Sequence, residues 1–274
     1  MKSKIFRKNL IGELSWKRMI RSLLLVYTFF GLYVYFRSDS MIFFPQPPSY
    51  SDTDDILKIP VTEEESISAR YLINPASGYT LIYIHGNAED LGHIEPILTQ
   101  LYTLGFSIFA YDYRGYGTSD GRPSERNAYR DAEAVYNYLT AEKGIAPSRI
   151  IPYGRSVGGG SAVDLASRHP VGGLILESTF TSAFRVVLPF SILPFDKFTN
   201  LRKLSRIQCP LLVIHGEADE VIPVSHGKRL YDSATVPKLS LWVEGAGHND
   251  LFWVVGDQYP TILHSFLDLV ETHQ

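Results

Sequence analysis

Ile150-Ile151-Pro152-Tyr153-Gly154-Arg155-Ser156-Val157-Gly158-Gly159-Gly160-Ser161 decides how this chain is read. Two β-branched residues open a strand, and the small residues after Val157 open a helix. Between them Gly154-Arg155-Ser156-Val157-Gly158 fits G-x-S-x-G, a sharp strand-to-helix turn with its serine at the apex. The flanking glycines let strand and helix pass where a Cβ would clash. The pattern alone is common in proteins, so its meaning depends on what the rest of the chain supplies.

A serine hydroxyl is a poor nucleophile near neutral pH and needs a base within hydrogen-bond reach. Of the eight histidines, His248 is the candidate, because it lies in the glycine-rich stretch Gly245-Ala246-Gly247-His248-Asn249-Asp250 after a predicted strand. His85 and His215 open loops before glycines and are read as holding backbone. His93, His169, His226, His264 and His273 fall on predicted helices or at their ends. An acid must orient the imidazole, and Asp219 in His215-Gly216-Glu217-Ala218-Asp219 follows the apolar run Leu211-Leu212-Val213-Ile214. Asp250 follows the base too closely and is read as a cap for the next helix. The order Ser156, Asp219, His248 differs from the orders in chymotrypsin and subtilisin. The oxyanion of a tetrahedral intermediate needs donors. The backbone N–H of Val157 is one, and that of Asn87 in His85-Gly86-Asn87-Ala88-Glu89-Asp90 is the other, with Ala88 its nearest rival.

Outward from this centre, strand and helix patterns alternate. Strands are predicted near residues 56–62, 66–72, 79–84, 107–111, 150–154, 173–177, 211–215 and 238–243. Helices are predicted near 91–104, 124–142, 159–169, 225–234 and 257–271. Such alternation implies βαβ units and an eight-stranded, mostly parallel sheet with helices on both faces. The first two strands, turning at Glu63-Glu64-Glu65, fit an antiparallel edge hairpin. Pro123-Ser124 marks a helix start. Pro152 is a misfit, since a proline inside a central strand removes a ladder donor. Asp112 and Arg114, closing the fourth strand, are expected to pair with each other. Residues 178–208 interrupt the alternation as a short cap carrying Phe180, Phe184, Phe190, Phe195 and Phe198, which fill core, line an apolar acyl pocket or form a face that meets the membrane.

The 274 residues suit one such domain plus a short extension, and 45% hydrophobic content is enough for a large core. The single cysteine, Cys209, excludes a disulfide framework and a cysteine-ligated metal site; no cofactor is implied. Net charge is −3 but uneven: seven basic residues from Lys2 to Arg21 face only Glu13, so the head carries +6 and the remainder −9. An acidic body without a basic stripe argues against nucleic acid. The head leads into an uncharged run from Ser22 to Phe36, closed by Arg37. Counted from Met19 it spans ~27 Å as a helix, close to a ~30 Å hydrocarbon core. Three readings stand: a single-pass anchor, a cleaved signal peptide with Ser38-Asp39-Ser40 as its site, and a buried or interfacial helix. For an anchor, the positive-inside rule leaves the N-terminus in the cytosol. The expected organisation is anchor 1–40, linker 41–55 around Pro45-Gln46-Pro47-Pro48, and catalytic domain 56–274.

From about residue 50 onward the chain resembles the serine hydrolases of the α/β-hydrolase superfamily, within it the membrane-associated subgroup that includes eukaryotic protein depalmitoylases. The resemblance rests on His85-Gly86-Asn87-Ala88, on Asp112-Tyr113 with Gly115-Tyr116-Gly117, and on Gly121-Arg122-Pro123-Ser124-Glu125-Arg126-Asn127. It continues through Val163-Asp164-Leu165-Ala166-Ser167-Arg168, Asp219-Glu220-Val221-Ile222 and Leu241 to Asp250. It implies the α/β-hydrolase fold, with Ser156 as nucleophile, Asp219 as acid and His248 as base, acting on an acyl ester or thioester at a membrane. Those depalmitoylases attach through an N-terminal cysteine cluster; here no cysteine precedes Cys209, and an apolar run stands in its place.

Overall fold

The computed structural model describes residues 15–188 and 190–273. The basic residues Lys2, Lys4, Arg7 and Lys8 of the expected head therefore lie outside the described residues, as does Glu13. The chain divides into two compact units, Met1–Met41 and Ile42–Gln274.

In the first unit, α1 spans Trp16–Ile42, 27 residues and about 40 Å of helix. Among the described residues it alone is long and apolar enough to cross a membrane. Apart from Val34, its apolar side chains are largely exposed, Phe29 at 75%. The helix runs five residues past Arg37, through Ser38-Asp39-Ser40. Serine is tolerated there because Ser38 Oγ and Ser40 Oγ donate back to the carbonyls of Tyr35 and Arg37, at 3.2 and 2.8 Å.

The second unit is an eight-stranded sheet in the order β1-β2-β4-β3-β5-β6-β7-β8. The strands are β1 Leu57–Pro60, β2 Ser66–Leu72, β3 Thr80–Ile84, β4 Ser107–Tyr111, β5 Ile150–Arg155, β6 Leu174–Glu177, β7 Leu211–Gly216 and β8 Lys238–Val243. β2 pairs antiparallel with both β1 and β4, and all the other pairings are parallel. The helices are α2 Glu95–Thr103, α3 Glu125–Asn137, α4 Gly158–Arg168, α5 Ala183–Val187, α6 Asn200–Lys203, α7 Ser225–Ser233, α8 Leu251–Val254 and α9 Gln258–His273. α3 starts where predicted, with Ser124 Oγ accepting from Asn127 N at 3.1 Å.

Strand residues alternate strictly between two cores. Ile82, Ile84, Phe109, Ile150, Leu176 and Val213 face one side with α3, α4 and α7. Leu81, Tyr83, Ile108, Ile151, Ile175 and Leu212 face the other with α2 and α9. A sheet covered on both faces needs this double apolar pattern, and that is why the central strands read as nearly continuous hydrophobic runs.

Pro152 sits where β5 has not yet paired with β6. It stays in register with Ile82 of β3, while the Ile150 carbonyl accepts from Gly172 N on the opposite side. Ladder bonds alternate sides along a parallel strand, so the donor Pro152 lacks would point at Gly172. β6 begins only at Leu174, two residues later.

The stretch expected as a linker has no helix or strand between Ile42 and Leu57, yet it is strapped to the domain. Phe43 is buried against Tyr113, Tyr116 and Phe198. Ser49 N donates to Asp90 at 2.7 Å, and Tyr50 OH to Asp112 at 2.6 Å. In the cap, the five phenylalanines divide. Phe180 and Phe198 are buried in the core, Phe184 and Phe195 stack edge-on and half-buried, and Phe190 is exposed.

Candidate active site

β5 delivers Ser156 at its carboxyl end in a left-handed conformation, φ +52°. A non-glycine residue pays strain there, and the surroundings hold it in place. Ser156 N donates to the Glu177 carbonyl at 2.9 Å, and Thr179 Oγ1 donates to the Ser156 carbonyl at 2.6 Å. α4 can follow so closely only because Gly158 has no side chain; a Cβ there would lie 2.1 Å from the Ile84 carbonyl oxygen.

Asp219 stands in the loop after β7, and His248 in the loop after β8. His248 Nδ1 lies 2.8 Å from Asp219 Oδ2, and Nε2 lies 3.1 Å from Ser156 Oγ. With Nδ1 donating to the carboxylate, Nε2 is left free to accept the serine proton; the partners assign that tautomer. All three residues are buried. Asp219 Oδ1 accepts from the backbone N–H groups of Val221 and Ile222, at 2.9 and 2.7 Å. Burial opposes its ionisation, but His215, His248 and the Ile222 amide outweigh that and hold its carboxyl well below the usual carboxylate range. It therefore stays charged beside the imidazole.

Asp250 sits at the N-cap position of α8 but does not cap it. Its Oδ1 instead accepts from Gly247 N at 2.6 Å, bracing the loop that carries His248. His215 holds backbone as expected, with Nε2 2.8 Å from the Ile222 carbonyl.

The loop after β3 is tied to the residue before the serine through Glu89 and Arg155. Ala88 takes φ +57°, and its N–H donates to the Asn87 side chain at 3.0 Å. That occupies the rival donor. Among the described residues neither Asn87 N nor Val157 N has a protein acceptor. His85 holds backbone here as expected, but the Asn87 side-chain contacts and the approach of His85 to Asp112 were not legible in the sequence. The Asn87 side chain is itself a hub: Nδ2 donates to the Ile42 carbonyl at 2.7 Å, and Oδ1 accepts from Phe44 N at 2.9 Å and Tyr116 OH at 2.6 Å. Its partners lie more than 25 residues away in the chain, so no local signal announced them. Beneath the loop, His85 is fully buried with Nε2 3.2 Å from Asp112 and Nδ1 2.7 Å from the Gly86 carbonyl. Burial disfavours its charge, but these acceptors raise its pKa.

Asp112 and Arg114 do not pair with each other. Both lie in the turn after β4, and each is taken by other groups: Asp112 by His85, Tyr50 and Leu91 N, Arg114 by Asp131 and Glu65. Among the described residues no cluster of three or more His, Cys, Asp or Glu is placed to hold a metal ion. Cys209 is buried, and burial pushes its thiol up to about 12, so it is inert.

A family model described as serine aminopeptidase, S33, matches residues 76–200. Over 181 residues the chain is 45% identical to the human alpha/beta hydrolase domain-containing protein 17B, covering 65% of this chain and 63% of that protein. It is 43% identical over 201 residues to the alpha/beta hydrolase domain-containing protein aho-3 of Caenorhabditis elegans, covering 71% of this chain and 59% of that one. The chain thus spans about three fifths of the curated relatives' length. Among solved structures, the Pyrococcus furiosus esterase Pf2001 superposes with a TM-score of 0.69 at 21% identity, over 83% of this chain and 97% of that one. Est1E from Butyrivibrio proteoclasticus, with ferulic acid bound, gives 0.64 at 18% identity, over 77% and 99%. At those identities the structures speak for the fold alone.

Proposed function

The chain belongs to the α/β-hydrolase superfamily of serine hydrolases, and from that premise we propose that it cleaves carboxylic esters or thioesters through an acyl-enzyme formed on Ser156. The observation that carries this reading is the unbroken line from Asp219 through His248 to Ser156 Oγ, at 2.8 and 3.1 Å. Ser156 Oγ attacks the acyl carbon while His248 Nε2 takes its proton. Asp219 stays ionised and stabilises the imidazolium that forms. The carbonyl oxygen, now an anion, is received by the backbone N–H groups of Asn87 and Val157, preorganised donors without other acceptors. His248 then returns the proton to the leaving alcohol or thiol, and a water repeats the sequence in reverse to free the acid.

α1 serves in this reading as a single-pass anchor, with the basic head in the cytosol and the catalytic domain on the other side. An apolar acyl group then arrives from the bilayer. The test is fluorophosphonate labelling and p-nitrophenyl ester turnover of Ser156→Ala. Labelling should vanish and turnover should fall by roughly three orders of magnitude or more. Near-normal turnover in folded Ser156→Ala removes the serine from the mechanism. A second reading, a peptidase of the same fold, draws on the description of the matching family model. Faster cleavage of aminoacyl nitroanilides than of acyl esters favours it. A scaffold without catalysis is the reading that absent labelling of the folded wild-type would leave.

A further inference from the structure

Arg155 precedes the candidate nucleophile, and the three-residue site makes no use of it. Its guanidinium is buried, only 8% exposed, and spends its donors on two loops and the end of a strand. Nη1 donates to Glu89, in the loop after β3. Nη2 donates to the His248 carbonyl at 3.0 Å and reaches Asn249 Oδ1 at 3.4 Å, in the loop after β8. Nε faces Glu177 at 3.4 Å, where β6 ends. The other Glu89 oxygen accepts from Gly86 N at 2.8 Å, one residue before Asn87. Gly86 makes room for this, since a Cβ there would sit 2.9 Å from Nη1.

We propose that Arg155 is the positioning residue of this site: one planar fork sets base and oxyanion donor relative to the serine beside it. The proposal rests on the serine reading above. Arg155 touches neither substrate nor reacting atoms. It acts through the His248 backbone and, by way of Glu89, through the amide row at Gly86 and Asn87. Only a guanidinium offers several donors in fixed, coplanar directions; an ammonium is a single point of attachment. The arrangement is not explained by charge neutralisation alone, because one cation stands between two carboxylates and its remaining donors go to the His248 loop. Donors aimed at a developing oxyanion lose most of their effect when displaced by about 1 Å, so slackening the clamp should lower kcat and spare substrate binding.

The experiment uses full-length protein in detergent micelles with p-nitrophenyl butyrate, comparing wild type, Ser156→Ala, Arg155→Lys and Arg155→Ala at equal folded fraction by circular dichroism. Arg155→Ala should lose about 30- to 300-fold in kcat with KM within about threefold. Millimolar guanidinium, filling the vacated site, should restore about tenfold of that loss, whereas urea at the same concentration should not. Arg155→Lys should lose about fivefold or more without a change in Tm. Wild-type kcat in Arg155→Ala, or a loss that follows the unfolded fraction and ignores guanidinium, overturns the proposal. Should Arg155→Ala fail to fold, Arg155→Lys decides: wild-type kcat refutes the clamp, and reduced kcat at wild-type Tm supports it. Activity persisting in Ser156→Ala sinks the serine reading itself. An inert Ser156→Ala alongside fully active Arg155 variants sinks only the clamp.

Discussion

Asn87→Ala separates the two duties of the loop after β3. The substitution keeps the backbone N–H assigned to the oxyanion and deletes a side chain that bonds the Ile42 carbonyl, Phe44 N, Tyr116 OH and Ala88 N, at 2.7, 2.9, 2.6 and 3.0 Å. Phe44 N retains the Tyr116 hydroxyl at 3.0 Å, but the Ile42 carbonyl and Ala88 N are left without these partners. At about 1 kcal/mol net per bond, with exchange to water at this half-buried position, stability should fall by about 2–3 kcal/mol. Catalysis should suffer separately. Ala88 is held at φ +57° by its bond to Asn87 Oδ1, and without it the loop relaxes toward ordinary backbone. Complete loss of an oxyanion donor costs about 10²–10³ in kcat; a loosened one should cost about 10- to 100-fold. Urea denaturation gives the first quantity, and kcat for a p-nitrophenyl ester at a temperature where the variant is fully folded gives the second. Tyr116→Phe is the control, since it removes one of four partners and should leave kcat within about threefold. A fully folded Asn87→Ala with wild-type kcat would falsify the role given to this loop.

Asp219→Asn should keep the fold and slow acylation by about 10³–10⁴, because the amide supports the wrong imidazole tautomer and no cation. Asp250→Asn, which weakens only the Gly247 brace, should do much less; the reverse ranking at equal stability means that the acid is misassigned. Because the folded pKa of Asp219 is depressed, its contribution to stability should be fully present above the unfolded carboxylate value near ~3.9 and be lost as pH falls below it toward the folded value. Acid denaturation followed by fluorescence should show that component missing in Asp219→Asn. Full-length protein should stay in membranes through high-salt and alkaline washes, and a reporter placed after Ile42 should read the non-cytosolic side; a cytosolic signal reverses the orientation. A chain starting at Pro45 should leave the membrane but lose kcat, since it lacks Ile42, Phe43 and Phe44, whereas one starting at Ile42 should keep it. From acetyl to octanoyl esters, kcat/KM should rise by up to roughly fourfold per carbon, from ~0.8 kcal/mol per methylene, until the pocket fills. A flat series means that the cap phenylalanines serve packing alone.

The eight strands and five long helices of the domain were legible because their signals are local. A strand buried on both faces reads as a short apolar run, and a capped helix carries Ser124 at its start. The serine turn was legible as a motif of residue types; Gly154 answers to Gly158 and Gly159 close by, although Gly158 makes room for the distant Ile84 carbonyl. Pro152 looked like a conflict because a one-dimensional reading cannot tell which side a backbone group faces. The pairing of Asp112 with Arg114 failed because each finds its partners far away in the chain, Asp112 in His85 and Tyr50 and Arg114 in Glu65 and Asp131.

Sequence alone thus determined the alternation of elements, the order Ser156, Asp219, His248 and the apolar run in α1, all of them properties of residue type and spacing. The tertiary structure alone decided that residues 43–50 are strapped to the domain, that Asn87 is gripped by Ile42, Phe44 and Tyr116, and that Arg155 joins two loops to the end of β6. Each of these depends on polar groups far apart in the chain meeting in a buried place, where an unmet hydrogen bond is costly. Only the folded backbone specifies which distant partner meets that need.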